Sequence, residues 1–333
     1  KSITYSYDNR GNLLERKEYA YTTGTLGTVT KTVSYAYGDS TWKDLLTSYN
    51  GQEITYDTIG NPVKYRDGMS FSWKNGRQLA GFSKGPISAD YEYDINGQRT
   101  KKTFNRVADS VTTQYYYSNG MLMGFYRSDG FDVKTLLDIS GSVYGITVSN
   151  GSANSMVYFA YNAQGDVIGL YGYNGTLYAT YDYDAWGNCT VTPLVADTAG
   201  HSITDANHIA HINPFRYRGY YYDTETGLYY LNSRYYDPQT GRFINADSVL
   251  AAVGQINGYN NFTYCFNDPI NMTDSLGNWP TENDVKEFFK GIGDGFVGFF
   301  EEKIETVKEV ISDPVGTIVD HWSNPTNWLK TTG

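Results

Sequence analysis

Short runs of alternating apolar and polar residues recur along roughly the first 190 residues, and each stops at a cluster of Asp, Asn and Gly. In Tyr91-Glu92-Tyr93 and Tyr181-Asp182-Tyr183 every second residue is aromatic, the period that puts one side-chain row on one face of a strand. The stops repeat. Tyr7-Asp8-Asn9-Arg10-Gly11-Asn12, Tyr56-Asp57-Thr58-Ile59-Gly60-Asn61 and Tyr93-Asp94-Ile95-Asn96-Gly97-Gln98 share one pattern. Tyr161-Asn162-Ala163-Gln164-Gly165-Asp166 and Tyr183-Asp184-Ala185-Trp186-Gly187-Asn188 follow it, and weaker copies stand at Trp73 to Gln78 and Tyr117 to Met121. In each copy a strand ends at the aromatic residue, and Asp or Asn turns the chain by bonding its own backbone. Gly then supplies the positive φ, and a second strand follows. Asn50-Gly51, Asn75-Gly76, Asn119-Gly120, Asn150-Gly151 and Asn174-Gly175 add the dipeptide that tight hairpin turns prefer. The spacing predicts a β-hairpin array. One hairpin alone is marginal in water, so the copies are expected to pair edge to edge into one long sheet that curls to dispose of its edges.

Composition sharpens this to an all-β chain: 33 tyrosines and 35 glycines, against 9 prolines, in 333 residues. The net charge of -10 argues against nucleic-acid binding by the repeat region, because such binding depends on basic patches. The densest basic cluster, Arg99, Lys101 and Lys102, reads as a solvated strand edge. Cys189 and Cys265 match no metal or redox spacing, and no apolar run approaches the length of a membrane helix. His201, His208, His211 and Asp205 invite a metal hypothesis, but they fall in the polar stretch 194–213, which reads as a long surface loop. No metal and no cofactor is expected. Because the chain starts in mid-pattern, it is expected to be a piece of a longer protein with any export signal upstream.

After Trp279-Pro280 the pattern changes to helical spacing, with Val285, Phe288, Phe289, Ile292, Phe296 and Phe299 on one face. Two helices, about 284 to 300 and 301 to 312, are predicted. Glu301, Glu302, Glu305 and Glu309 make their polar side acidic, unlike a membrane-surface helix. This segment reads as a linker toward a further domain, or as one that docks on an inner wall.

Between the repeats and that tail lies a denser run. Pro214-Phe215-Arg216-Tyr217-Arg218-Gly219-Tyr220-Tyr221-Tyr222-Asp223 leads to Thr226-Gly227-Leu228-Tyr229-Tyr230-Leu231. Arg234-Tyr235-Tyr236-Asp237-Pro238, Thr240-Gly241-Arg242-Phe243, Asp247 and Asn267-Asp268-Pro269-Ile270-Asn271 come next. Two Asp-x-x-x-Gly turns, at Asp223 and Asp237, each follow a tyrosine-rich strand, and the interleaved arginines suit stacking on aromatic rings. Residues 1–193 resemble the YD repeats of the Rhs family, shared with Tc toxin C components and teneurins. Residues 214–278 are similar to its repeat-associated core.

The resemblance implies a hollow β-shell sealed by the core as a plug, enclosing a variable C-terminal effector tail. It also implies self-cleavage after the core by two aspartates. Asp247 and Asp274 match those positions, Arg242 is set apart from the other arginines as part of the site, and the cut falls after Asn278, before Trp279. Four positions depart from the family motif: Ser248 and Ser275 replace prolines, Leu250 replaces a glycine, and Asn278 stands where leucine is usual. The implied setting is secreted or at a bacterial cell surface. The implied partners are the chain's own effector tail, an immunity protein and a secretion apparatus. A surface adhesion module that binds a glycan or protein receptor is the alternative.

Overall fold

The computed structural model describes residues 1–151, 154–247, 260–274 and Gly277. The helices expected in 279–333 and the expected cut after Asn278 lie outside the described residues. Five strands, Ser2–Tyr7, Leu13–Tyr19, Val29–Ala36, Ser48–Tyr49 and Gln52–Glu53, pair in chain order into one antiparallel sheet. Fourteen more, from Thr55–Tyr56 to Cys189–Pro193, pair in chain order into a second. The expected single sheet is thus interrupted once, at Ile54, whose N–H turns back to the Thr47 carbonyl.

The turn chemistry repeats almost atom for atom. Asp8 Oδ1 accepts the N–H groups of Arg10 and Asn12, and Oδ2 accepts the Asn12 amide at 2.9 Å. Asp57 and Asp184 do the same with Asn61 and Asn188. The sixth residue then reaches outward: Asn61 Nδ2 to Gly76 O, Gln98 Nε2 to Gly120 O, and Asn188 Nδ2 to Pro238 O. Two copies escape a search for the tyrosine. Asp138 receives Ser140 and Ser142, and Asp197 receives Ala199 and His201.

Beside most of the repeat aromatics, though not Tyr183, the register slips by one. This happens at Ser6/Tyr7, Ser72/Trp73, Glu92/Tyr93, Tyr116/Tyr117 and Ala160/Tyr161. Such bulges sharpen the right-handed twist, and a bulge in copy after copy makes the sheet curl. In several copies a later aromatic side chain ties the hairpin to its predecessor. It donates to the carbonyl of the first residue after the earlier turn: Tyr37 to Leu13 at 3.0 Å, Trp73 to Pro62 at 2.7 Å, Tyr117 to Arg99 at 3.0 Å, Tyr183 to Val167 at 2.7 Å. Removing one such hydroxyl should cost about 1 kcal/mol. Tyr183→Phe is therefore expected to lower the urea midpoint without changing the slope of the transition.

The wall curls around residues 209–247 and 260–274. Its first half packs Tyr35, Tyr65, Phe71, Phe82 and Tyr91 with Leu228, Tyr230, Tyr235 and Ile244 of that inner module. Its second half packs Tyr115, Phe125, Ile146 and Tyr181 with Ile209, Ile212 and Phe215. Tyr5 in the first strand comes within 6.0 Å of Trp186 in the last repeat turn, ring to ring. Among the described residues the wall does not close as a barrel, for there Cys189–Pro193 pairs only with Leu177–Tyr183. The inner module has its own four-stranded sheet, Tyr221–Asp223, Leu228–Tyr230, Tyr235–Asp237 and Arg242–Phe243.

Two expectations change here. The stretch 194–213 is an irregular, mostly exposed loop as far as Asn207, but from His208 on it turns mostly inward. Its helix Ile209–Ile212 buries Ile209, Ala210 and Ile212, and Tyr181 donates to the Ala210 carbonyl at 2.7 Å. Two of its histidines make local bonds: His201 Nδ1 pairs with the Asp197 carboxylate, and His208 Nδ1 accepts the Ala210 N–H at the helix start. Arg99 and Lys102 do not lie on a solvated edge. The bulge before Tyr93 shifts the pairing of the strand Arg99–Asn105, and both side chains end inside, against the module. Only Lys101 stays at the surface, paired with Glu92.

Candidate self-cleavage site

The module is held by two clamps of the same design. Each starts as a Tyr-Tyr-Asp strand that runs into an Asp-x-x-x-Gly turn, with Gly227 N–H on Asp223 O and Gly241 N–H on Asp237 O. Each aspartate is fully buried and meets a wall arginine. Arg99 Nη1 lies 2.5 Å from Asp223 Oδ2, and Arg66 Nε lies 2.6 Å from Asp237 Oδ2. Lys102 adds 2.9 Å contacts to Asp223 and Glu225. Burial pushes the Asp223 carboxyl up, but Arg99 and then Lys102 outweigh it and hold it below the usual carboxylate range. The Arg99 guanidinium also lies over the rings of Tyr230, at 4.4 Å, and Tyr115, at 4.9 Å.

Behind these clamps, the structure gathers Asp247 and Asp274 on one buried cation. Arg234 Nη2 stands 2.8 Å from Asp247 Oδ2 and 3.4 Å from Asp274 Oδ2. Its Nε donates to the Gly277 carbonyl, and its guanidinium stacks 3.5 Å from the centre of the Phe243 ring. Burial pulls Arg234 down to about 10, opposed by Asp247 and Asp274, so it remains a cation at neutral pH. The Asp274 N–H donates to the Tyr220 hydroxyl at 3.1 Å, and that hydroxyl also bonds Thr273 at 3.0 Å. Burial drives the Tyr220 phenol well above its ordinary value, so it stays neutral. Gly277 sits in the left-handed region at φ +69°, where a Cβ would fall 2.6 Å from the Leu231 carbonyl oxygen and 2.9 Å from Ser233 Oγ. Only glycine fits that approach.

No family model matches the chain. Over 281 residues, 83% of its length, it is 34% identical to the tRNA3(Ser)-specific nuclease WapA of Bacillus spizizenii. The tRNA nuclease WapA of Bacillus subtilis matches at the same identity and coverage. The chain is Rhs/Tc-related. It spans 11% of the length of these Bacillus relatives. The toxin subunit YenC1 of Yersinia entomophaga is 24% identical over 297 residues, which are 82% of the chain and 28% of YenC1. Among solved structures, the TcdB2-TccC3-Cdc42 crystal structure superposes with a TM-score of 0.62 at 18% identity, covering 87% of this chain and 14% of that one. A Photorhabdus luminescens Tc holotoxin pore gives 0.55 at 19% identity, covering 84% and 13%. These likenesses carry the curled β-wall.

Within this Rhs/Tc-related fold, Arg242 stands apart from the two aspartates. Its Nη1 donates to the Tyr37 hydroxyl at 2.8 Å and its Nη2 to the Asp44 carbonyl at 2.6 Å, and it stacks on Tyr37 and Phe262. Those contacts tie the module to the five-stranded sheet. The arginine that joins Asp247 and Asp274 is Arg234, which the sequence marks only as one of several arginines among tyrosines. The stacking expected of those arginines is present: Arg216 lies over Tyr222 at 4.3 Å and Arg218 over Tyr217 at 5.3 Å. No helix among the described residues is long and apolar enough to cross a membrane.

Proposed function

We propose that the chain is the C-terminal part of an Rhs-type toxin shell, in which residues 214–278 form the repeat-associated core that plugs the curled wall. The core cuts the chain once, after Asn278, to free an effector tail that the wall encloses. The observation that carries this reading is the meeting of Asp247 and Asp274 on Arg234, with the same guanidinium holding the Gly277 carbonyl. Two carboxyls on one site divide into a base and an acid. Asp247 takes a proton from water as its oxygen adds to the Asn278 carbonyl carbon. Asp274 gives its proton to the Trp279 nitrogen as the C–N bond breaks, leaving a new carboxyl and a new amine. Fixed proximity within one chain supplies much of the rate, and no turnover on other substrates follows.

The nuclease activity in the names of the Bacillus relatives stays with those proteins. A secreted or cell-surface setting, an immunity protein for the tail and assembly with other toxin components go with the shell reading. Intact mass of the purified chain tests it: a species ending at Asn278 is expected, with the tail protected from limited proteolysis beside it. A full-length mass that does not change with time, or a tail digested at once, overturns it.

One feature favours the adhesion reading. Tyr144 and Tyr158 are exposed on the outer face and stack at 6.2 Å with 7° between their planes. Capture of a soluble glycan or receptor, lost in Tyr144→Ala and Tyr158→Ala, would support it. Unchanged capture by both variants would remove it.

A further inference from the structure

Asn245 is fully buried, and neither its Oδ1 nor its Nδ2 meets a hydrogen-bond partner among the described residues. Its place follows from the inner sheet. Asp237 pairs with Arg242 and Tyr236 with Phe243, and the Ile244 N–H donates to the Tyr235 carbonyl at 3.0 Å. Asn245 comes next, across from Arg234. The side chains of this segment alternate between two sides. Arg242 bonds Tyr37, Ile244 joins the core of the first wall half, and Ala246 packs with Leu45 and Phe262. Phe243 and Asp247 turn the other way and both touch Arg234, the ring centre 3.5 Å from the guanidinium and the carboxylate 2.8 Å from Nη2. The alternation thus runs through the bend at Ile244 and Asn245, and it leaves Asn245 on the Arg234 side, between Phe243 and Asp247. All three Arg234 nitrogens are already engaged, by the carbonyls of Gly277 and Asn261 and by the two carboxylates.

A buried carboxamide that bonds nothing in its own chain is costly, and such a group in a native structure calls for an explanation. Packing does not supply one, because an apolar side chain would fill the site without burying an unpaired donor and acceptor. A polar group that enters the site does supply one, and a buried water is the smallest that can.

We propose that Asn245 is a further catalytic residue of the self-cleavage centre, one that holds the attacking water against Asp247. The inference rests on the self-cleavage reading and deepens it. Asn245 Oδ1 accepts one hydrogen of the water, while Asp247 accepts the other and takes it as a proton. A lone pair of the water oxygen is then free to add to the scissile carbonyl carbon. Asn245 Nδ2 donates to the carbonyl oxygen as that oxygen gains charge. Asn245 itself neither gains nor loses a proton, and the leaving nitrogen still receives its proton from Asp274. A carboxamide suits both tasks because it sets an acceptor and a donor side by side on one planar group.

The test is a time course of self-cleavage in the full chain, followed by intact mass from the start of cell-free synthesis. Thermal melts of the same chains are taken with Asp247→Asn added, so that all are compared uncut. Wild type is set beside Asn245→Leu, Asn245→Ser and a packing control, Ile244→Val. Asn245→Leu loses the acceptor and the donor together and is expected to cut on the order of 100-fold more slowly. Asn245→Ser keeps a hydroxyl that both accepts and donates, and its rate is expected between those of Asn245→Leu and wild type. Ile244→Val removes one methyl group on the wall side, and it should melt lower yet cut as wild type. If wild type cuts and the two Asn245 variants match it, this inference falls and the cleavage reading stands. If Ile244→Val slows as much as they do at an equal loss of Tm, cleavage is following stability, Asn245 is structural and the inference also falls. A wild-type chain that never cuts overturns both.

Discussion

Asp223→Asn is expected to destabilise the chain by about 3–5 kcal/mol at neutral pH, because it leaves Arg99 buried without a counter-charge. Asp223 is fully enclosed and accepts Arg99 at 2.5 and 3.1 Å and Lys102 at 2.9 Å. Glu225 can still pair with Lys102, but no other ion pair reaches Arg99 among the described residues. For a domain of this size the loss corresponds to a fall in Tm of roughly 5–15 °C. The pair on the opposite face gives the contrast: Lys101→Gln breaks only an exposed contact with Glu92 and should shift Tm by little. The pH dependence has a definite sign. Asp223 is held below the ordinary carboxylate range in the folded chain, so its contribution is fully present above about pH 4 and is lost as the pH falls further. Thermal melts of wild type and Asp223→Asn should therefore differ most near neutrality and converge in acid. A gap that stayed constant down to the acid limit would mean that the clamp works by shape and not by charge.

Asp247→Asn is expected to abolish self-cleavage, slowing it by about 10²-fold or more, the usual contribution of a positioned base. Asparagine keeps the size and an oxygen for Arg234 Nη2, now 2.8 Å from Asp247, so the fold should survive while the base is lost. Asp274→Asn should give the same intact mass, since the acid is then missing. Arg242→Gln separates the two arginines. From its bonds to Tyr37 and Asp44 the expected result is a lower Tm with cleavage retained. A variant at Arg242 that folds as well as wild type and fails to cut would move the site toward that residue. Cleavage that continues in Asp247→Asn would remove the two-carboxyl mechanism altogether.

The copies that the sequence misses show what its signal consists of. Asp138 and Asp197 make the same turn as Asp8, yet neither is preceded by tyrosine: Leu137 and Ala196 stand there instead. The signal that finds them is the Asp with Gly three residues on, which is what the turn needs; the tyrosine belongs to the packing between hairpins. Arg99 and Lys102 mislead for a related reason. A cluster of cations in a strand reads as a solvated edge, but the bulge beside Tyr93 shifts the register, and a one-residue shift changes the face on which a side chain lies.

From the chain of letters alone follow the hairpins, their order, their tight turns and the all-β architecture. Each of these depends on bonds between residues a few positions apart, such as Asp57 with Ile59 and Asn61. Asp247 and Asp274 could be named from motif, but which cation joins them could not. Arg234 and Arg242 stand in similar aromatic surroundings, and the choice between them depends on how the module turns inside the wall. Only the tertiary structure decides that, because the deciding contacts, Arg66 with Asp237 and Arg99 with Asp223, join residues 171 and 124 positions apart. No local pattern encodes such pairs; they form when the curl of the sheet brings its inner face onto the core.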